Sequence, residues 1–379
     1  MMRVQTKAIL PKGYLANGVY SGIKRSGKLD LGLFYSKVPA KAACRFTTNT
    51  ILAAPLIICK KYLQKNKKFQ AIIVNSGNAN CFTGNAGIVD AEATAKAAAL
   101  ELNIKKQGVL VSSTGIIGRR LPIAKIKRAI PELVAGLSES GIDKAKKAIL
   151  TTDTFAKEIS IKFNLGDKVI TISGVAKGAG MIAPDMATML AFILTDANIT
   201  QDALNKALGI CVGNSFNCIT VDGCMSTNDS VIVLANGTAD NALIDTGKNF
   251  KAFVNALGIA CLELAKMIVR DAEGATKFIQ IKVTKARNFE EARKVALNIA
   301  NSNLFKTAMF GENPNFGRIA AGAGASGVHV REKDLKVKVS ALNKRNINVE
   351  VSIKRGNASC VVYTSDLTPE YVKINAEYN

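Results

Sequence analysis

A run of six residues, Met189–Leu194, is apolar on both of the faces that a β-strand would have. Such a run is typical of a strand in the middle of a layered protein, because other elements must cover both faces. The segment before it, 177–187, is rich in glycine and other small residues. The run therefore predicts layered sheets with flanking helices, and it puts Thr188 at the entrance of a rigid strand.

Strand-like runs alternate with helix-like segments in the first half of the chain. The apolar run Gln70–Asn75 leads into the small polar residues of Asn75–Asn80, and an alanine-rich helix is predicted over 87–103. Loops of small residues after strands often present backbone N–H groups to a ligand. The same order recurs further along, as a strand over 108–113, a loop over 114–118 and a basic amphipathic helix over 123–138.

The remaining segments complete the prediction of an α/β to α+β fold. Asn164–Asp167 reads as a hairpin turn between two strands. From Lys277 onward, alternating strands and one helix predict a smaller α+β domain over about 277–379. The other predicted elements are strands over 159–163, 168–173, 230–234, 347–353 and 360–363, and helices over 201–212, 250–269 and 290–301.

Composition limits the class of protein. The chain has 379 residues, 48% of them hydrophobic and 21% charged, which is enough apolar material for two or three domains. The N-terminus lacks the apolar region of a signal peptide, and we find no apolar run of ~20 residues, so neither secretion nor membrane insertion is expected. The eight cysteines include no C-x-x-C pair, which favours buried thiols in a reducing cytoplasm over disulfides or a metal site.

The net charge of +22 admits a nucleic-acid-binding protein or a collector of acidic small molecules. Only Tyr62 and Phe69 accompany the basic residues, and the chain has no Trp, so the aromatic platforms of single-strand binding are scarce. We therefore expect a lysine-rich solvated surface and no nucleic-acid partner. The basic residues concentrate at Lys60, Lys61, Lys65, Lys67 and Lys68, and at Arg119, Arg120, Lys125, Lys127 and Arg128.

Catalysis by histidine is disfavoured, since His329 is the only histidine in the chain. It lies in Gly327–Arg331, whose alternation favours a strand beside a turn. Thr188 offers a route without histidine. If the peptide bond before it were cut, one residue would carry both a hydroxyl nucleophile and an α-amine, whose pKa near ~7.7 to 8.0 lets it accept the hydroxyl proton at neutral pH.

Seven motifs in order resemble the ornithine acetyltransferases, also called glutamate N-acetyltransferases or arginine biosynthesis bifunctional proteins. The resemblance extends over essentially the whole chain. Its motifs are Asn75–Asn80 (NSGNAN), Ser113–Gly118 (STGIIG), Thr151–Thr154 (TTDT), Gly180–Leu190 (GMIAPDMATML), Asp222–Asp229 (DGCMSTND), Glu273–Lys277 (EGATK) and Asn375–Tyr378 (NAEY).

The resemblance implies a precursor that cuts itself between Ala187 and Thr188. The products are an α chain of residues 1–187 and a β chain of residues 188–379, assembled as two α and two β chains. Thr188 then takes acetyl from N-acetylornithine and passes it to glutamate. No cofactor is implied, although acetyl-CoA stays open as an alternative acetyl donor.

Site residues are also implied by the resemblance. Thr114 and Gly115 correspond to an oxyanion hole, formed by a side-chain hydroxyl and a backbone N–H. Thr151, Lys177, Glu273 and Asn375 correspond to substrate-binding positions, together with Thr188. Lys177 suits a substrate carboxylate and Glu273 an ammonium group.

The chain departs from the family pattern near the cut. Asp185 and Ala179 stand where Asn and Ser are more usual, and Asp185 adds a negative charge beside the scissile bond. We expect cleavage to be retained. Two other functions remain open at this point. An N-terminal-nucleophile aminopeptidase or amidase of related fold would pass the acyl group to water, and a nucleic-acid-binding protein would show strongly salt-dependent affinity.

Overall fold

A computed structural model describes residues 2–183 and 189–377, and these divide into two compact units. The first contains residues 2–178, 189–214 and 226–264, and the second contains residues 179–183, 215–225 and 265–377. The predicted cut between Ala187 and Thr188, which would produce the α and β chains, lies outside the described residues.

The first unit is built on a nine-stranded mixed sheet. Its pairing order is β1-β6-β7-β8-β9-β3-β4-β5, and β2 pairs with β3 beside that path. The strands are β1 (Met2–Gln5), β2 (Tyr14–Val19), β3 (Leu31–Phe46), β4 (Phe69–Asn78), β5 (Val109–Ile116), β6 (Lys157–Leu165), β7 (Lys168–Lys177), β8 (Leu190–Thr195) and β9 (Ser230–Ala235).

The long strand β3 makes this sheet fold over on itself. Its first part pairs with β2 and β4, and its last part, Lys41–Phe46, pairs with β9. Phe34 on β3 packs against Phe192 on β8 with ring centroids 5.3 Å apart, and one apolar cluster joins β4 and β5 to β8 and β9. Every residue of β8 is buried, as predicted for a central strand.

Helices cover the two outer faces. Helices α1 and α2 pack against β5, whereas α3 and α4 pack against β2 and β3. On the other face Leu264 of α6 lies against Gly174 of β7. Their bounds are α1 (Ala54–Lys65), α2 (Gly84–Glu101), α3 (Ile123–Ala135), α4 (Ile142–Ala148), α5 (Gln201–Gly213) and α6 (Gly247–Arg270).

Helix α6 bears on the expectation that no segment inserts into a membrane. It is 24 residues long, and its most apolar window has a mean hydropathy of 1.8, so by length and composition it is able to cross a membrane. Asn255, Glu263 and Lys266 interrupt its apolar residues, so the helix contains no continuous apolar run of that length. Half of that window is buried, and Phe253, Leu257 and Leu264 are among its fully buried residues. A helix buried in the core of a protein can have the same length and apolar composition.

The second unit has a four-stranded sheet in the order β11-β12-β10-β13 with its own apolar core. The expected α/β to α+β class, with a smaller α+β region at the C-terminal end, is confirmed. Its strands are β10 (Phe278–Ala286), β11 (Lys336–Val339), β12 (Asn346–Ser352) and β13 (Ala358–Ser365), and its helices are α7 (Phe289–Ala300), α8 (Asn303–Phe310), α9 (Phe316–Gly324) and α10 (Pro369–Ala376).

Candidate active site

Thr114 and Gly115 lie at the end of β5, where its parallel pairing with β4 becomes irregular next to Gly77 and Asn78. Gly115 has φ +128°, a conformation that side chains rarely adopt. A Cβ on Gly115 would lie 2.4 Å from the carbonyl carbon of Gly77. The close approach of the two backbones therefore requires glycine at position 115. The unusual φ of Gly115 turns the chain beside Thr114, whose side chain is buried.

Buried asparagines hold the loops that follow β4 and β5. Asn75 accepts a hydrogen bond from the Ser113 hydroxyl at 2.6 Å and donates one to the carbonyl of Asn78 at 2.8 Å. Asn78 in turn accepts from the backbone N–H of Asn80 at 2.8 Å. Asn228, from the loop before β9, donates to the Ser113 carbonyl at 2.8 Å. The motif Asn75–Asn80 is thus a scaffold for the end of β5.

Lys177, the last residue of β7, reaches this loop. Its Nζ lies 3.4 Å from Thr114 Oγ1, and the lysine is only 3% exposed. In the pairing order β7 and β5 are five strands apart. Their ends meet because the sheet folds over at β3. A buried cation therefore stands beside the predicted oxyanion-hole threonine.

Asp153 organises the residues around Lys177. Its side chain is fully buried and forms an ion pair with Lys157. It also accepts the N–H of Gly178 at 2.7 Å and that of Thr151 at 2.9 Å. Burial by itself would raise the pKa of Asp153, but the charges of Lys177 and Lys157 hold that pKa well below its usual range. Asp153 is therefore ionised and ties Thr151 to the end of β7.

Asp229 fixes the start of β8. Its Oδ1 accepts the backbone N–H of Met189 at 2.8 Å, and the Met189 carbonyl accepts the N–H of Ser230 at 3.2 Å. Asp229 is fully buried, and burial raises its pKa well above the usual value, opposed by the Met189 hydrogen bond and the charge of Lys177. The residue after Thr188 is thus held by a buried carboxyl group.

Glu273 and Asn375, the other two predicted substrate-binding residues, are adjacent in the second unit. Asn375 Nδ2 donates to Glu273 Oε2 at 2.9 Å. Gly180 lies so close that a Cβ there would stand 2.1 Å from the same oxygen. Asp222, in the same unit, accepts the N–H groups of Met181 and Ile182 at 2.7 and 2.9 Å.

The structure thus brings Thr114, Gly115, Thr151 and Lys177 together in the first unit. Ala187, Thr188 and Asp185 lie outside the described residues. Three further residues, Asp153, Asp222 and Asp229, had no role predicted from the sequence. Each is an acidic residue inside one of the quoted motifs, and that position was the signal available for finding them.

His329 lies in a different environment. Residues 327–331 form no strand, contrary to the expectation from their alternation, and the loop instead borders a cavity of about 350 Å³. The cavity is lined by Arg287, Arg331, Lys354 and Arg355 among others, and the His329 carbonyl accepts from Arg355 at 2.7 Å. Within residues 2–183 and 189–377, no group of three His, Cys, Asp or Glu side chains could hold a metal ion.

Comparison with known proteins identifies one family. The ArgJ family matches residues 15–379. The chain is 43% identical to the arginine biosynthesis bifunctional protein ArgJ of Oceanobacillus iheyensis over 97% of this chain and 95% of that protein. It is 44% identical to the protein of the same name from Caldanaerobacter subterraneus subsp. tengcongensis over 98% of each.

Among solved structures, the ornithine acetyltransferase of Mycobacterium tuberculosis complexed with ornithine is 38% identical, with a TM-score of 0.45 over 48% of this chain and 98% of that one. The family match and the near full-length identity to the two bifunctional proteins of arginine biosynthesis together show that this chain belongs to the ArgJ family.

Proposed function

We propose that the protein carries acetyl from N-acetylornithine to glutamate through an ester on Thr188, after cutting its own chain between Ala187 and Thr188. Membership of the ArgJ family and the name of its relatives, bifunctional proteins of arginine biosynthesis, support an acyltransferase of that pathway. Acetyl-CoA is a second acetyl donor in this proposal. The working enzyme consists of two α and two β chains in the cytoplasm.

One observation carries the proposal, the 3.4 Å approach of Lys177 Nζ to Thr114 Oγ1. Lys177 pairs with Leu190 across β7 and β8. Thr188 precedes Leu190 by two residues, so its Cα lies within about 7.6 Å of the Leu190 Cα by chain length alone. A hydroxyl donor and a buried cation therefore lie beside the start of β8, the strand that the proposed nucleophile precedes.

Self-cleavage begins with attack of Thr188 Oγ on the Ala187 carbonyl carbon. The Ala187–Thr188 C–N bond breaks, the acyl group is then held as an ester on Oγ, and the nitrogen becomes an amine. Water hydrolyses that ester, which leaves Ala187 with a carboxylate and returns the Thr188 hydroxyl.

Acetyl transfer uses the same two atoms. Thr188 Oγ attacks the acetyl carbon of N-acetylornithine while the Thr188 amine takes the hydroxyl proton. Thr114 Oγ and the Gly115 N–H stabilise the negative oxygen that develops, and removing one such donor costs ~10² to 10³ in rate. The proton passes to the departing ornithine nitrogen. Glutamate then attacks the acetyl-threonine ester and leaves as N-acetylglutamate.

Substrate binding is assigned to the charged and polar residues that the resemblance to the family implies. Lys177 and Thr151 bind the α-carboxylate, since a buried ammonium gives a charge-assisted hydrogen bond. Glu273, with Asn375 fixing its carboxylate, binds the ammonium groups of ornithine and glutamate. The separation of signs suits amino-acid substrates that carry both charges.

The test combines mass and turnover. Intact mass under denaturing conditions is expected to show two chains that meet at 187 and 188, in place of one 40.2 kDa species. The cut enzyme should make N-acetylglutamate from N-acetylornithine and glutamate faster than it makes free acetate, and acetyl-CoA with glutamate is measured in parallel. Thr188→Ala should remain uncut and inactive, whereas Thr188→Ser should keep both reactions. Release of acetate alone would instead identify an amidase.

A further inference from the structure

A cavity of about 350 Å³ in the second unit is lined mainly by charged side chains. The segment after β10, the loop around His329 and the turn after β12 form its walls. We call it the arginine cavity. Its polar lining residues are Arg287, His329, Arg331, Asp334, Lys354 and Arg355. None of them is a predicted residue of the acetyl-transfer site, so the proposed function leaves this cavity without a role.

Backbone hydrogen bonds fix two of these walls against each other. The carbonyl of Lys285 accepts the N–H groups of Arg355 and Gly356 at 2.6 and 2.9 Å. Lys354 adopts a left-handed φ of +47°, and Lys285 one of +57°. Residues other than glycine are uncommon in that region of backbone conformation, and they stay there when surrounding contacts hold them. The turn that carries Lys354 and Arg355 is therefore held in a fixed conformation.

Arg355 is oriented by contacts within the protein. Its side chain is 16% exposed, and its Nε forms an ion pair with Glu291. Its Nη1 donates to the His329 carbonyl at 2.7 Å. Burial by itself would raise the pKa of Glu291, but the Arg287 N–H and the charges of Arg355 and Arg287 hold that pKa below its usual value. Glu291 is therefore ionised, and it holds the Arg355 guanidinium at the cavity wall.

Positive charge exceeds negative charge around the cavity. Asp334, the one acidic residue among the described lining residues, is paired with Arg331. Arg355 also has its carboxylate partner. The Arg287 guanidinium and the Lys354 ammonium form no ion pair within 4.0 Å among the residues that the structure describes. Concave walls of one charge concentrate the electric field and attract small anions. Two cations are therefore available to a ligand.

We propose that the arginine cavity binds a phosphate group, carried by free phosphate or by a small phosphomonoester. This inference goes beyond acetyl transfer and does not depend on it. A phosphate monoester carries a charge of about −1.5 to −2 at pH 7 and has strong acceptor oxygens. Arg287 and Lys354 supply two positive charges, and Arg355 adds a guanidinium that is already oriented. Planar guanidinium groups bind phosphate oxygens through parallel hydrogen bonds.

Other ligand classes fit the cavity less well. Ile353 is the one apolar residue among the described lining residues, so an apolar ligand would find little surface to bury. A monocarboxylate brings a single negative charge to two cations that lack carboxylate partners. A nucleic-acid strand usually stacks its bases on aromatic rings, and the described lining residues include no Phe, Tyr or Trp. A small dianion therefore matches the charge and the size of the cavity.

His329 gives a direct readout, because it is the only histidine in the chain. In the whole untagged protein labelled with ¹³C-histidine, the imidazole signal belongs to one residue, and that residue lines the cavity. Sodium phosphate, ribose 5-phosphate, sodium malonate and ribose are each titrated at constant pH and ionic strength, so that screening stays equal. Phosphate and ribose 5-phosphate are expected to shift this signal in a saturable manner, whereas ribose should not. The ratio of their dissociation constants tells which source of phosphate binds more tightly.

The matched variants are Lys354→Gln and Lys285→Gln. Both lysines are exposed and have a left-handed φ, but only Lys354 of the two lines the cavity. Lys354→Gln is expected to weaken phosphate binding about tenfold, since a hydrogen bond between charged groups is lost. Lys285→Gln should change it little, because an exposed charge outside the cavity is screened.

Arg287 separates charge from geometry. Arg287→Gln should weaken phosphate binding about tenfold, and Arg287→Lys should weaken it less, because lysine keeps the charge without the planar fork. Circular dichroism and unfolding in urea check that each variant is folded.

Three results would overturn the proposal. They are the absence of a saturable shift with both phosphate and ribose 5-phosphate, an equal effect of Lys354→Gln and Lys285→Gln, and tighter binding of malonate than of either phosphate. An oligonucleotide that shifts the His329 signal with steep salt dependence, when the small phosphates do not, would overturn it in favour of a nucleic acid. A protein that binds phosphate here but makes no N-acetylglutamate would refute only the proposed function.

Discussion

Gly77 on β4 and Gly115 on β5 lie on two parallel strands whose backbones are in close contact. A Cβ placed on Gly115 would lie only 2.4 Å from the carbonyl carbon of Gly77. The contact bends β5 at the point where Thr114 faces Lys177. Oxyanion holes need donors held at fixed positions before the reaction begins. The glycine pair supplies that rigidity through backbone atoms alone.

Gly115→Ala should therefore destabilise the protein and impair catalysis together. The new methyl group meets backbone atoms that cannot rotate away, and we expect a loss of about 2 to 4 kcal/mol in the free energy of unfolding, measured in urea. Gly118→Ala is the control, since Gly118 also has a positive φ of +81° but has nothing within 4 Å of a Cβ. Equal losses of unfolding free energy from the two substitutions would show that the positive φ, and not the close contact with Gly77, causes the destabilisation.

Thr114→Val should test the catalytic role of the Thr114 hydroxyl without disturbing the fold. Valine keeps the shape of the side chain but cannot donate to a developing oxyanion, so we expect kcat for acetyl transfer to fall by ~10² to 10³ with little change in KM. Ser112→Ala on the same strand removes a buried hydroxyl that has no hydrogen-bond partner among the described residues and should leave kcat unchanged. A rise in KM without a fall in kcat would assign Thr114 to substrate binding.

Asp153→Asn should reveal a stability that depends on pH. Removing this charge leaves Lys157 buried without its carboxylate, so we expect a loss of about 3 to 5 kcal/mol at pH 7. The pKa of Asp153 is depressed in the folded protein, so its contribution is complete above the unfolded value of ~3.9 and is lost as pH falls below it. The difference between wild type and variant in urea unfolding should shrink accordingly below about pH 4.

The matched control for this variant is Glu139→Gln. Glu139 pairs with Lys37 at 3.5 Å between largely exposed side chains, and such pairs contribute little to stability. No change in unfolding is expected for it. A gap between wild type and Asp153→Asn that stays constant from pH 7 to pH 3 would contradict the assignment of Asp153 as ionised.

Asn375→Asp should act on substrate affinity. The substitution replaces a donor to Glu273 with a second carboxylate 2.9 Å away, and like charges at that distance force one of them to take up a proton or turn aside. We expect KM for N-acetylornithine to rise about tenfold or more with kcat nearly unchanged. Val372→Ala, on an exposed position of the same helix α10, is the control and should leave both constants as they are.

Much of the fold could be predicted because its signals are local. The helix over 201–212 begins as expected because the Thr200 side chain accepts the N–H of Ala203 at the first turn. The predicted hairpin turn at Asn164–Asp167 is present between β6 and β7, and Gly166 adopts there a φ of +64° that glycine permits. His329 was placed wrongly in a strand, since alternation over five residues does not require a pairing partner.

The sequence by itself determined the strand and helix periods, the family and the residue types needed for an N-terminal threonine nucleophile. Those signals lie within single segments. Only the tertiary structure decided that Lys177 meets Thr114, that Asp153 joins Thr151 to Gly178, and that Asp229 holds Met189. The contact of Asp153 with Thr151 is local, but the other three join residues 25 to 63 positions apart and depend on strand pairing, and the meeting of Lys177 with Thr114 depends also on the bend in β3. Such separations carry no local pattern from which the contacts could be deduced.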